Sequence, residues 1–114
     1  MINIDLPLEL GDINQKFYNI LRQMGPFGPG NMTPLFESRN VSLAGTPVIL
    51  KEKHLKFDVK QKDSGTFTAI GFGMAHFYPD LVNGRPFSIC YNLEENNFRD
   101  KKTLQLFLKD IKIH

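Results

Sequence analysis

Apolar residues in this chain keep two different spacings, and the change falls near residue 26. Ile13, Phe17, Ile20, Leu21 and Met24 recur at intervals of three and four, which places them on one face of a helix. Asp12 and Gln15 have the spacing of a capping box at its start, and Gly25 followed by Pro26 ends it. Ahead of it, residues 2–6 alternate apolar and polar as a short strand does. So short a helix is marginal alone in water, so its apolar stripe needs a partner, either the body that follows or a neighbouring domain.

Pro26-Phe27-Gly28-Pro29-Gly30-Asn31, with Pro34 close behind, separates the two regimes. The prolines remove backbone donors and the glycines open φ values closed to other residues, so neither helix nor central strand runs through. The segment reads as a structural elbow between a lead-in, residues 1–25, and a body, residues 26–114. An anion-binding nest from the N–H groups of Gly28, Gly30 and Asn31 is the alternative. A triphosphate loop is excluded, because no Gly-Lys-Ser/Thr follows.

Beyond the elbow the pattern is that of strands. Leu35 to Ala44 forms the first. Leu55, Phe57 and Val59 alternate with Lys56, Asp58 and Lys60 in the second, the clearest half-buried strand of the chain. A turn at Lys62-Asp63-Ser64-Gly65 leads to a third strand, Thr66 to Gly73. Ala75 to Asn83 is a short helix with Pro79 tolerated in its first turn, and Asn83-Gly84 stops it. Phe87, Ile89, Tyr91 and Leu93 share one face of a fourth strand. A polar connection, Glu95 to Lys102, precedes the fifth, Thr103 to Ile113. There the apolar phase moves from Leu104, Leu106 and Leu108 to Ile111 and Ile113, which predicts a bulge near Lys109-Asp110. The order predicts a mainly β fold: a five-stranded oligonucleotide/oligosaccharide-binding (OB) barrel, a short helix between strands three and four, and an amphipathic helix in front. A small α+β sheet of another wiring is the alternative, since five short strands can be connected in several ways.

Composition narrows the chemistry. A length of 114 residues makes one domain. No apolar run approaches the ~20 residues that span a bilayer, so no membrane partner is expected. The one cysteine, Cys90, can form no internal disulfide, which fits a reducing cytoplasmic compartment, and it reads as a small packing residue within a strand. The net charge of +2 conceals an asymmetry: residues 1–12 hold three acids and no base, leaving 14 basic against nine acidic residues in the rest. That mild excess raises nucleic acid as a partner.

Residues 51–62 concentrate the excess, with Lys51, Lys53, Lys56, Lys60 and Lys62 against Glu52 and Asp58. If Leu55, Phe57 and Val59 face inward, Lys56 and Lys60 face outward together, able to follow a phosphate backbone or simply to solubilise the strand. His54 shares that face; it has a phosphate or its own hairpin as partner, and no cluster that would make it a metal ligand. Phe98 beside Arg99 in the connection between strands four and five is a candidate for stacking on a base, as are Phe67 or Phe72 in strand three, with Arg39 added from strand one. Most other phenylalanines are needed for the core. His76 and Asp80 have helical i, i+4 spacing, but Pro79 interrupts it, and His114 is expected to be disordered at the chain end. No acid–base, nucleophile or metal constellation marks a self-contained enzyme.

The run Met24-Gly-Pro-Phe-Gly-Pro-Gly-Asn-Met-Thr-Pro-Leu-Phe36 closely resembles the segment leading into the OB domain of the RecJ family of bacterial single-strand-specific 5′→3′ DNA exonucleases. The similarity continues through His54-Leu55-Lys56, Ala69-Ile70-Gly71-Phe72-Gly73 and the ending around Gln105-Leu106 and Lys109-Asp110-Ile111, covering about residues 12 to 113. Met32-Thr33 departs from the Pro-Glu found in many relatives. The family's catalysis belongs to a DHH-type phosphoesterase core holding two Mn²⁺ or Mg²⁺ ions, and this chain has no Asp-His-His. The resemblance therefore implies a carboxy-terminal piece of a longer enzyme, itself without cofactor or nuclease activity, with Met1 at a cut boundary. Its expected partners are single-stranded DNA, the upstream catalytic domains and other repair proteins. The competing expectation is a structural or protein-interaction OB module that braces the exonuclease or recruits repair partners without touching DNA.

Overall fold

A computed structural model describes residues 5–23 and 34–114; the elbow Pro26–Asn31 falls outside the described residues. In order along the described chain come strand β1 (Asp5–Pro7), helix α1 (Gln15–Gln23), strands β2 (Leu35–Leu50), β3 (His54–Lys60) and β4 (Phe67–Gly71), a one-turn 3₁₀ segment (Ala75–Phe77) running into helix α2 (Tyr78–Val82), and strands β5 (Phe87–Phe98) and β6 (Lys101–Ile113). A second 3₁₀ turn, Leu10–Asp12, precedes α1. The result is a six-stranded mixed sheet of OB type, ordered β1-β2-β3-β4-β6-β5. Because β2 also pairs with β5, through Phe36↔Tyr91, Ser38↔Ile89 and Val41↔Phe87, successive pairings lead from β2 around to β2 again. The short β1 joins the edge in parallel with β2, where Pro7 needs no ladder donor.

Alternation decides what is inside. Leu55, Phe57 and Val59 of β3 are buried, as are Ala69 of β4, Phe87, Ile89, Tyr91 and Leu93 of β5, and Leu106 and Leu108 of β6. Cys90 pairs with Asp110 but Tyr91 with Leu108, so Lys109 is the extra residue of a bulge. This is the phase shift that the sequence predicts, and it returns Ile111 to the core.

Several boundaries differ from expectation. Strand β2 continues to Leu50, its pairing with β3 shifting between Ala44 and Val48 around Gly45, whose φ is +85°. Strand β5 extends through Phe98 and meets β6 at a two-residue turn, Arg99-Asp100, instead of the polar connection over 95–102. Both turn residues have positive φ, 51° and 64°, the geometry that matches hairpin twist. Asp12 does not cap α1; Asn14 does, its Oδ1 accepting the Phe17 N–H at 2.8 Å. On α1 it is Tyr18 that is buried, with Phe17 and Leu21 packed against the core, whereas Ile20 is exposed. The terminal His114 is held: its N–H donates to the Pro86 carbonyl at 2.9 Å and its Nε2 lies 2.7 Å from the Ser88 hydroxyl.

The lead-in packs into the same core through Leu10, Ile13 and Tyr18, and two buried polar groups fasten it. Gln61 accepts the Leu10 N–H at 2.7 Å and donates to the Arg39 carbonyl at 2.6 Å. Ser38 Oγ donates to the Leu8 carbonyl at 2.7 Å and lies 2.8 Å from Tyr91 Oη. A hydroxyl has one proton to give, so Tyr91 is the donor to Ser38. Burial pushes the Tyr91 phenol up to about 12 from the usual 10. Above pH 10 the unfolded chain releases this proton more readily than the fold does, so stability falls as pH climbs from about 10 to 12, by ~2 kcal/mol in all. Urea unfolding at both ends of that window should show the loss in the native chain and a much flatter response in Tyr91→Phe.

Candidate nucleic-acid interface

The outward phase of the sheet carries the candidate site. His54, Lys56, Asp58 and Lys60 project from β3 on the side opposite the core. Lys56 stands across from Val48 on β2 and Ile70 on β4, and Ile70 across from Phe107 on β6. Just past Ile70, Phe72 emerges at the turn after β4 and is 61% exposed. Its ring meets His54 edge-on at 5.2 Å and Phe107 at 6.1 Å. Gly73, at φ +71°, donates its N–H to His54 Nδ1 at 3.0 Å, fixing the imidazole beside Phe72. Three rings from three strands or their ends thus form one solvent-facing row, with Lys56 alongside and exposed Val48 and Leu50 at its margin.

The expected residues divide by position. Lys53 is exposed in the turn between β2 and β3, at the same end as His54. Lys60 lies at the other end of β3, six residues and about 20 Å away. Asp58, held by the Thr68 hydroxyl at 2.9 Å, stands between Lys56 and Lys60 and divides the basic face. Arg39 is distant from the ring row: it pairs with Glu37 at 2.9 Å in a cleft lined also by Glu9, Asp12 and Lys62. Phe67 and Phe72, alternatives in the sequence, are separated by the register. Phe67 sits opposite buried Val59 and packs on the core, on the face away from the ring row. His54 bonds the connection after β4 and not its own hairpin.

Phe98 and Arg99 crown the β5–β6 ribbon. Phe98 is 65% exposed, and the Arg99 guanidinium lies 5.2 Å from its ring centre. Asn92↔Phe107, Glu94↔Gln105, Asn96↔Thr103 and Phe98↔Lys101 are directly opposed pairs, so Phe98 shares the ribbon face of Phe107, about 20 Å farther along. Sequence reasoning passed over Phe107 and Ile70, although the signal was present: with Leu104, Leu106 and Leu108 inward, Phe107 is an aromatic on the solvent phase. Among the described residues, no group of three or more His, Cys, Asp or Glu is placed to hold a metal ion.

Comparison with known proteins agrees with this architecture. The single-stranded-DNA-specific exonuclease RecJ of Salmonella typhimurium is 32% identical over 110 residues, covering 94% of this chain. The chain spans about 18% of the length of the curated relatives it matches. The crystal structure of RecJ from Thermus thermophilus in complex with Mg²⁺ superposes with a TM-score of 0.65 at 22% identity, over 95% of this chain and 16% of that one. The mitochondrial single-stranded DNA binding protein Rim1 of S. cerevisiae shares the fold at a TM-score of 0.52 and 16% identity, over 69% of this chain and 90% of that one. A sequence model of the family described as the RecJ OB domain matches residues 4–110, so the chain belongs to the RecJ OB-domain family.

Proposed function

We propose that this chain is the single-stranded-DNA-binding OB barrel of a RecJ-type 5′→3′ exonuclease, handing the strand to a catalytic core outside residues 1–114. The circuit of pairings from β2 back to β2 supports the barrel, with residues 26–114 as its body and 1–25 as the lead-in toward the rest of the enzyme. The observation that carries the reading is the outward-facing row His54–Phe72–Phe107 beside Lys56, with Phe72 exposed and the two flanking rings half-buried. Aromatic faces accept any unpaired base, and lysines follow phosphates without reading sequence, so the binding is expected to be indifferent to sequence. Phe98 and Arg99 extend the same face toward the flanking strand.

Binding to oligo-dT is expected in the range of non-specific contacts, about 10⁻⁴–10⁻⁶ M, and to weaken as salt is raised. If about three phosphates are neutralised, log K against log salt has a slope near −2. Reversing Lys53 and Lys56 to glutamate should flatten that slope and weaken binding more than reversing Lys60, which lies beyond Asp58. Fluorescence anisotropy at two salt concentrations reads both effects, and no signal at low salt and high protein would remove the proposal. A protein-docking role is favoured by one feature, the exposed run Val48, Ile49 and Leu50 at the end of β2. Unchanged DNA affinity after the reversals would point there.

A further inference from the structure

We propose that His54 acts as an uncharged positioning residue whose neutral ring holds Phe72 in the row, so that protonating it takes the row apart. Gly73 offers a backbone N–H, which can only donate, and it lies 3.0 Å from His54 Nδ1. Nδ1 is therefore the acceptor, and the ring proton sits on Nε2. In the imidazolium both nitrogens are donors, and an N–H would face the Gly73 N–H. The clamp and the cation exclude one another.

That constraint reverses the usual expectation for a histidine beside a polynucleotide. A free imidazole would gain charge on acidification and draw phosphate closer. Here acidification removes the hydrogen bond that keeps the imidazole edge against Phe72 at 5.2 Å, and Phe72 in turn contacts Phe107 at 6.1 Å. The charged neighbours are Lys56 on the same strand face and Lys51, Glu52 and Lys53 in the adjoining turn. Asp58 lies farther along that face, and His76 follows Ala75, whose N–H donates to the Lys53 carbonyl at 3.0 Å. Lys109 lies two residues beyond Phe107; Leu50 and residues 72–75 carry no charge. The DNA consequence rests on the single-strand reading above; the clamp itself does not.

Two measurements on the 114-residue chain separate these. Long-range proton–nitrogen NMR reads the tautomer at about pH 8, and a titration down to about pH 5 follows the Gly73 amide and the Phe72 ring. The expected result is the Nε2–H form, with both signals moving on the same curve as the His54 ring. Oligo-dT affinity should fall at least about fivefold over that range, the loss of one stacked base. His54→Gln, which cannot gain charge, should lack this fall, and the difference isolates His54 from His76 and His114. A proton on Nδ1, or a Gly73 amide indifferent to the titration, would overturn the clamp. Affinity that holds steady or rises on acidification in the native chain relative to His54→Gln would overturn its role in binding. If no oligonucleotide binds at any pH, the single-strand reading fails while the NMR arm still decides the clamp.

Discussion

Replacing Phe72 and Phe107 together by alanine is expected to weaken oligo-dT binding about thirtyfold or more. Each base stacked on an aromatic side chain contributes about 1–3 kcal/mol, and losing two such contacts removes at least ~2 kcal/mol, with tenfold in affinity for each 1.4 kcal/mol. The single variants should not add simply, because the two rings touch at 6.1 Å and each steadies the other. Removing Phe107 therefore also loosens Phe72, and the sum of the single losses should exceed the double loss. Phe72 is 61% exposed, so its truncation should leave the urea midpoint almost unchanged. That separation of binding from stability is what anisotropy and unfolding, measured on the same preparations, would establish. Alanine variants that bind as tightly as the native chain would remove the row as the contact surface.

The largest expected effect on stability belongs to Phe87. Its side chain is 1% exposed, it opposes Val41 of β2 on one side and Ile113 of β6 on the other, and its ring meets Phe57 at 5.9 Å. Phe87 thus lies where the pairing circuit returns to β2. Phe87→Ala should cost about 3–5 kcal/mol through lost burial and the cavity left behind. Against a total of about 5–15 kcal/mol, that is enough to leave a sizeable unfolded fraction at moderate temperature. Chemical denaturation reads the cost directly. A loss below ~1 kcal/mol would mean that β2 and β5 are not held together through this residue.

Family and fold are consistent across levels, but the levels carry unequal information. The alternation in residues 54–60 alone assigned Leu55, Phe57 and Val59 to the core and His54, Lys56 and Lys60 to solvent, because side chains on a strand take opposite faces. The same logic found the bulge at Lys109, since only an inserted residue restores the inward phase at Ile111. Turns were harder to read. Arg99-Asp100 makes a tight hairpin with two positive φ values and neither Gly nor Asn to announce it, so the polar stretch resembled a longer loop. The helix start misled for a similar reason: Asp12 and Asn14 both offer a capping oxygen, and the 3₁₀ turn at Leu10–Asp12 gave the role to Asn14.

What the chain determined by itself is local: which residues of a strand face inward, where the inward phase shifts, and a basic excess after residue 12. What only the tertiary structure decided is which outward residues become neighbours. Phe107 lies 35 positions beyond Phe72, and the two meet because β4 and β6 run parallel side by side, with Ile70 opposite Phe107. Periodicity fixes the face of each strand, but not which strands adjoin or in what register, because those follow from the packing of the whole core. For the same reason Arg39 and Phe67 left the candidate surface, one claimed by Glu37 and the other by the interior, while Phe107 joined it.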